Sequence, residues 1–113
     1  MSKCVSKWKS RRIYDSDHHT VNEIIHVDDD SGGVLTGHHE SGKPMSGRCL
    51  NTGMTLQLLS SAGGSVEIDY AGDFGNPNDP DPQCVHGRFT DHTRHDRKRA
   101  DGSDGDWTAV KTT

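Results

Sequence analysis

Apolar and polar residues alternate in short runs along most of the chain, and helical periodicity is nearly absent. The clearest runs are residues 54–58 and 66–70, in which every second residue is apolar. Such alternation is typical of a β-strand with one buried face. The pattern predicts eight strands, at residues 5–13, 21–27, 34–39, 45–50, 54–58, 66–70, 85–89 and 106–110.

The alternation also predicts which side of each strand faces the core. In the second strand, Val21, Glu23, Ile25 and Val27 fall on one side. In the later strands, the residues expected to be least exposed are Leu56, Leu58, Val66, Ile68, Val85, Phe89 and Ala109, followed by Met54 and Tyr70.

Glycine and proline punctuate the chain between these runs. Residues 28–33 have the composition of a turn. Residues 72–83 contain three of the four prolines, which excludes a central strand there. Residues 90–105 form a charged loop in which at most one helical turn is expected.

Eight short sequential strands joined by tight turns predict an all-β fold: a single antiparallel up-and-down β-barrel. Closure removes the unpaired sheet edges, which matters because only 28% of the 113 residues are hydrophobic and the core is thin. The alternative is a two-sheet β-sandwich. The length suits one domain, residues 1–113. A repeated hydrophobic-x-Gly signal, expected where strands coil sharply or approach closely, supports the barrel; it occurs at residues 35–37, 45–47, 70–72 and 85–87.

Charge is segregated along the chain, which carries a net charge of −4. Residues 1–12 hold five bases and no acid, and residues 94–99 form a second basic segment. Overall acidity disfavours sequence-independent binding of nucleic acid. No apolar stretch approaches the roughly 18–20 residues of a membrane span, so no membrane partner is expected. The predicted location is the cytoplasm, or outside the cell if a leader has been removed.

Cysteines are few and widely spaced, at Cys4, Cys49 and Cys84. No zinc-ligand spacing occurs, and an odd number argues against a complete disulfide framework. Ordinary thiols are therefore expected, with one disulfide plus a spare thiol as the alternative.

Residues 32–41, GGVLTGHHES, resemble the third-strand motif of the avidin family, and the hydrophobic-x-Gly signal is shared with lipocalin-like barrels. Residues 45–48, 70–74 and 105–110 are similar to later avidin strands in the same order. The resemblance implies a small-molecule ligand and a homo-oligomer in which Trp107 caps a neighbouring subunit's pocket. The alternative is that Trp107 plugs its own barrel beside Trp8.

The resemblance also implies a ligand site at the barrel mouth. Ser10 stands where the family has a pocket asparagine, His39 stands where it has a tyrosine, and Ser41 is retained. Most pocket tryptophans and the last-strand acidic residue are absent, so the ligand is expected to be more polar than biotin. The candidate ligand-binding residues are Ser10, His39, Ser41, Tyr70, His86 and Trp107.

The eight histidines raise the question of a metal. His38 and His39 are adjacent on a strand and point to opposite faces, so they cannot chelate one ion together. A zinc site across strands, such as His39 with His86 or His26, and a loop site at His92 and His95 are the alternatives. Neither a cofactor nor a metal is predicted, and no nucleophile elbow, P-loop or dinucleotide fingerprint occurs.

Three functions remain. The leading hypothesis is a small-molecule-binding barrel with a polar ligand site at its mouth. The second is a barrel enzyme, of isomerase, cyclase or hydrolase type, that uses His39 or His86 as an acid or base. The third is a structural or protein-interaction component with a filled barrel. A lumen cavity above about 300 Å³ with convergent polar groups favours the first two hypotheses, and a packed lumen favours the third.

Overall fold

Alternation of apolar and polar residues becomes eight β-strands in the computed structural model, which describes residues 2–62, 64–93 and 103–112. The strands are β1 (Ser6–Tyr14), β2 (Thr20–Ser31), β3 (Val34–His39), β4 (Pro44–Cys49), β5 (Gly53–Leu59), β6 (Val66–Asp73), β7 (Cys84–Asp91) and β8 (Ser103–Lys111).

Each strand pairs antiparallel with the next, and β8 pairs with β1, so the sheet closes into a barrel. The prediction of an all-β up-and-down barrel is confirmed, and the sandwich alternative is wrong. Strand covers just over half of the chain. Most of the 90–105 loop, residues 94–102, lies outside the described residues, and so does the expected helical turn. No helix within the described ranges is long and apolar enough to cross a membrane.

Strand β2 is longer than predicted, because the acidic residues expected to form a turn continue the strand to Ser31. The turn is confined to Gly32 and Gly33, whose φ angles are 63° and 92°. Positive φ at both positions is the geometry of a tight two-residue hairpin, which fixes the register of the flanking strands. The register shifts between Val27 and Asp29 and then continues to the turn. Hairpin pairing here outweighs the low strand propensity of aspartate.

Side chains fill the barrel lumen. The four largest side chains that are fully buried, Trp8, Tyr70, Phe89 and Trp107, are at most 2% exposed. Val66 is only half-buried, and the prediction that it belongs to the core is wrong. It is the first residue of β6, beside a register shift in β5. The other predicted core residues are buried: Met54, Leu56, Leu58, Ile68, Tyr70, Val85, Phe89 and Ala109.

The repeated glycines mark close approach, as the hydrophobic-x-Gly signal predicts. A Cβ atom on Gly37 would lie 1.9 Å from the backbone oxygen of His26 on β2, and Gly47 and Gly87 are equally close to their neighbouring strands. At Gly72, a Cβ would lie 2.6 Å from a methyl group of Val85 and 3.1 Å from the ring of Trp107. Glycine here makes room for the tryptophan in the lumen.

Cys4 and Cys49 form a disulfide that ties the N-terminal segment to the end of β4, and Cys84 is free and exposed. The expectation of three ordinary thiols is wrong; the alternative, one disulfide plus a spare thiol, is confirmed. Cys4 is fully buried, and its carbonyl oxygen accepts a hydrogen bond from the Trp8 indole at 2.9 Å. The disulfide lies at the end of the barrel where β1 begins and β4 finishes, which is called the lower end here.

The burial of Leu58 predicts a large cost of truncation. Leu58→Ala is expected to lower the free energy of unfolding by about 2–5 kcal/mol, because the lost contacts leave a cavity. Leu50, which is 47% exposed, provides the matched control, and Leu50→Ala should change stability by less than about 0.5 kcal/mol. Urea unfolding measures both, and equal effects would show that the face of β5 is assigned wrongly.

The disulfide predicts a redox-dependent stability. Its cysteines are 45 residues apart, so opening it enlarges the conformational freedom of the unfolded chain. The double variant Cys4→Ser/Cys49→Ser is expected to lose about 2–5 kcal/mol in chemical unfolding. Cys84→Ser should be neutral, and a matching loss in that variant would contradict the assignment of the pair.

Candidate functional site

The polar interior lies toward the upper mouth, the barrel end at which β1, β3, β5 and β7 finish. Alternation along β1 turns Trp8, Ser10, Arg12 and Tyr14 into the lumen, and all four are buried. Because alternate residues of a strand share a face, the buried Trp8 places the other three residues on the inward face as well. As a result, β1 carries a hydroxyl and a guanidinium into the core.

The carboxylate of Glu23 is the centre of this interior. It projects from β2 on the same face as Ile25 and Val27, as the sequence predicts, and it is 4% exposed. Its Oε2 accepts a hydrogen bond from Arg12 Nε at 2.5 Å. Its Oε1 accepts from the Tyr70 hydroxyl at 2.8 Å and pairs with His39 Nε2 at 2.9 Å. A buried carboxylate needs such partners, because desolvation otherwise disfavours its charge.

The contacts of His39 define its tautomer. Nε2 faces the Glu23 carboxylate, an acceptor, and therefore carries the proton. Nδ1 accepts from the backbone N–H of Ser41 at 3.1 Å, and the Ser41 hydroxyl lies 2.9 Å from the same nitrogen. Because Nδ1 uses its lone pair as an acceptor, Nε2 is the nitrogen that donates to Glu23 in this arrangement. Both ring nitrogens are thus engaged within the chain.

Charge pairing sets the ionisation of the cluster. Burial alone would raise the pKa of Glu23, but hydrogen bonds from His39, Arg12 and Tyr70 outweigh it and hold the pKa below its ordinary value. Burial would lower the pKa of Arg12, and the Glu23 carboxylate more than offsets that effect, so the pKa is raised. Burial, reinforced by the charge of Glu23, raises the pKa of Tyr70. The cluster therefore holds an ion pair beside a protonated phenol.

A second branch leads from Arg12 toward the end of β7. Arg12 Nη1 donates to the Tyr14 hydroxyl, which donates to Asp91 Oδ2 at 2.6 Å. Burial, followed by the hydrogen bond to Asp91, raises the pKa of Tyr14 to about 12. Burial also opposes the charge of Asp91, but hydrogen bonds from Tyr14 and Thr93 lower its pKa overall. The guanidinium also lies 5.5 Å from the centre of the Phe89 ring, a cation–π contact.

Trp107 occupies the middle of its own barrel. Its indole N–H donates to Ser10 Oγ at 2.8 Å, and its ring centre lies 5.1 Å from that of Tyr70. The side chain is fully buried within a single chain. The cross-subunit capping role is therefore wrong, and the alternative of a tryptophan that plugs its own barrel is confirmed. Its aromatic contact here is with Tyr70, where the sequence analysis expected Trp8.

The structure brings five of the six sequence-predicted site residues into one connected region. Ser10 and Trp107 lie in the middle of the lumen, Tyr70 touches Trp107 and Glu23, and His39 and Ser41 complete the region at the mouth. The sixth, His86, is exposed on the outer face of β7 and lies apart from them.

Sequence reasoning missed the residues that dominate the region. Arg12, Glu23, Tyr14 and Asp91 were not predicted as site residues. A signal existed for two of them. Alternation from Trp8 places Arg12 inward, and Glu23 is a charge on an otherwise apolar face. Tyr14 and Asp91 lie beyond the predicted ends of their strands and carried no such signal.

The histidines that the structure describes do not converge on a metal site. His38 is exposed on the outside and His39 points inward, as their adjacency predicts. His26 stacks on His38 outside, with ring centres 4.5 Å apart, so a cross-strand site that joins it to His39 is wrong. The loop alternative involves His95, which lies outside the described residues. Within residues 2–62, 64–93 and 103–112, no group of three or more histidine, cysteine or acidic side chains is placed to hold a metal ion.

The lumen cluster is closed upon itself. Every buried side-chain nitrogen and oxygen among the described residues has a hydrogen-bond partner. Grooves instead lie on the outer surface of the described part of the protein, among them two with volumes of about 660 and 400 Å³. The larger, named here the outer groove, crosses β8, β1 and β2 and is lined by Lys9, Arg11, Ile13, Asn22, Ile24, Glu40, Thr108 and Val110. Ser10 and Glu23, whose side chains point into the lumen, also border it.

Comparisons of the chain with protein-family models, curated proteins and solved structures found no match. The barrel architecture that the avidin resemblance implied is thus established by the strand topology alone.

The lowered pKa of Glu23 predicts acid sensitivity. A carboxylate whose pKa is lower in the folded state contributes stability above its unfolded pKa of about 4.3, and this contribution is lost as the pH falls through the folded value. Glu23→Gln is expected to lose about 3–5 kcal/mol near pH 7, because the buried Arg12 loses its closest carboxylate and keeps only Asp91, 3.8 Å away. Its stability should then fall less steeply than that of the wild type as the medium is acidified.

Urea unfolding from about pH 7 to about pH 3 measures this difference. Glu40→Gln is the matched control, since Glu40 is an exposed carboxylate near the same mouth. It should preserve the wild-type acid dependence. An unchanged acid dependence in Glu23→Gln would contradict the role assigned to the buried carboxylate.

Proposed function

We propose that this chain is a non-catalytic interaction module whose filled barrel is a rigid scaffold for a surface that binds another macromolecule. The observation that carries the proposal is the closed lumen cluster, in which the Glu23 carboxylate is fully engaged by Arg12, Tyr70 and His39. A buried polar network that satisfies itself specifies a unique core. It leaves the outer face for recognition.

The packing of the lumen supports a scaffold over a ligand-binding barrel. Ligand pockets are clefts of about 300–1,000 Å³ with a few unpaired polar groups that converge on the ligand. Here Trp107 and Tyr70 fill the middle of the lumen, and Arg12 with Glu23 occupies the space above them. A ligand in that space would have to separate a buried ion pair, which costs several kcal/mol.

The same contacts argue against an acid–base enzyme. A general base needs a lone pair within hydrogen-bond reach of its substrate. His39 directs Nε2 at Glu23 and uses Nδ1 to accept from Ser41. The alternative acid or base, His86, is exposed on the outer face of β7, and it does not line the outer groove.

A polar ligand at the upper mouth is the second candidate function. It is favoured by the position of His39, whose side chain is 13% exposed, and of Ser41, which is exposed at the rim. A ligand with one donor and one acceptor would compete for the Ser41 contacts and leave the Glu23 ion pair intact. Of the site that the avidin resemblance implies, this candidate retains only the two residues at the rim, His39 and Ser41.

The cellular location of this protein remains a prediction. The disulfide is more typical of an oxidising compartment than of the cytoplasm, and it therefore favours the secreted alternative. A homo-oligomer also remains a prediction.

Two measurements on protein purified from its own source test the proposed function. Native mass spectrometry is expected to give the polypeptide mass without a small-molecule adduct. Lysine-directed cross-linking in the native extract is expected to join lysines of the outer face to another polypeptide. Both follow from a full lumen and a surface binding role.

Other outcomes contradict the interaction module. A discrete small-mass adduct that is absent in the variant Ser41→Ala would support the mouth site in its place. Cross-links confined to this chain, with no adduct, would contradict both candidates. Lys43, which pairs with Glu67 of β6 and does not line the outer groove, serves as the internal reference for non-specific reaction.

A further inference from the structure

The outer groove combines positive charge with apolar surface on a chain that is acidic overall. Lys7, Lys9 and Arg11 point outward from β1 in successive exposed positions of its alternation. Two of them line the groove, which has a volume of about 660 Å³. Side chains on one face of a strand repeat at about 6.6–6.8 Å. The cations therefore form a regular row along the middle of this surface.

These three cations are uncompensated. Within the described part of the chain, none of them makes an ion pair. By contrast, Lys43 pairs with Glu67 at 2.7 Å, Lys111 pairs with Asp81 at 2.7 Å, and Arg88 pairs with Asp15 and Asp106. The chain has 17 acidic residues against 13 lysines and arginines, so carboxylates for intramolecular pairing are plentiful. A row of cations left without carboxylates is complementary to an external anion.

Apolar side chains flank the row. Ile13 and Ile24 are half-buried in the groove, and Val110 is 47% exposed. A purely electrostatic surface for phosphates would not need them. An occupant that satisfies both features carries carboxylates and aliphatic groups at the spacing of an extended chain.

Closure of the barrel restricts how this occupant binds. Every strand already has two hydrogen-bonded neighbours, so no sheet edge is free to accept an added strand. Recognition must come from side chains on the sheet face. An extended peptide repeats its own side chains with the same period as β1, which brings its alternate residues over the row of cations.

Two other occupants fit less well. In a symmetric dimer built on this face, Lys9 and Arg11 of one copy would oppose the same residues of the other. Like charges placed directly opposite each other are destabilising. A nucleic acid backbone has no aliphatic groups, so it would leave Ile24 and Val110 without apolar partners.

We propose that the outer groove binds an extended acidic segment of another protein, in which carboxylates alternate with aliphatic residues. The carboxylates contact Lys7, Lys9 and Arg11, and the aliphatic residues pack against Ile24 and Val110. This inference rests on the proposed interaction function and names the surface and the chemical class of the partner.

The test uses a fluorescein-labelled peptide of about eight residues in which glutamate alternates with leucine or valine, and fluorescence anisotropy measures its binding to the whole protein. Lys9→Glu/Arg11→Glu should weaken binding by about tenfold or more, because the charges become repulsive. Arg48→Glu is the matched control, since Arg48 is an exposed cation on β4 outside the groove. It should change affinity by less than about twofold. Val110→Ser should also weaken binding, which a purely ionic contact would not show.

Lys9→Gln/Arg11→Gln removes the two charges without reversing them, so it shows whether lost binding in the Glu variant reflects misfolding. The thermal unfolding of every variant is compared with that of the wild type. Equal affinity of the wild type and both double variants would overturn the inference. Tighter binding of a single-stranded oligonucleotide of equal charge would also overturn it. If the peptide fails but cross-links to another polypeptide persist, the groove is misassigned and the interaction module stands. Detection of a retained small ligand by native mass spectrometry would contradict the proposed interaction module itself.

Discussion

A single desolvated carboxylate, that of Glu23, constrains the upper half of this barrel. A charge that is 4% exposed is tolerated in a protein interior only when opposite charge and hydrogen-bond donors surround it. Arg12 supplies the charge, and Tyr70 and His39 supply the other donors. The orientation of each follows from this need. The guanidinium points upward in the lumen, the phenol keeps its proton, and the histidine presents Nε2–H inward.

The same constraint extends to the rim. Because His39 commits Nε2 to the carboxylate, its Nδ1 becomes an acceptor and fixes the turn at Ser41. Arg12 also reaches Tyr14, which anchors Asp91 at the end of β7. Hydrogen bonds from one buried centre thus join β1, β2, β3, β6 and β7. The lower end carries the Cys4–Cys49 disulfide and the buried Trp8, which donates to the Cys4 carbonyl oxygen, so the two ends of the barrel are held by different interactions.

The proposed function places recognition on the outer surface of this filled and closed barrel. The chain has few hydrophobic residues, and those in the lumen are already consumed by packing. Val110 is nevertheless an exposed apolar side chain, and it lies beside the cations of β1, which make no ion pair within the described part of the chain. The barrel architecture that the avidin resemblance implied is confirmed by the strand topology. Beside the predicted residues Ser10, His39 and Tyr70, the interior holds the Arg12–Glu23 ion pair, and for this reason the proposed function places binding on the outer face.

The sequence by itself determined the local features of this protein: eight strands, their inward faces and the glycines where strands approach closely. These follow from period-two alternation and turn chemistry, which involve residues near one another in the chain. Tertiary structure alone decided which distant residues meet. Tyr70 lies 47 residues from Glu23, and the two cysteines of the disulfide lie 45 residues apart. Such contacts depend on strand register and on the closure of β8 against β1, and a local pattern specifies the face of a residue but not its partner across the lumen.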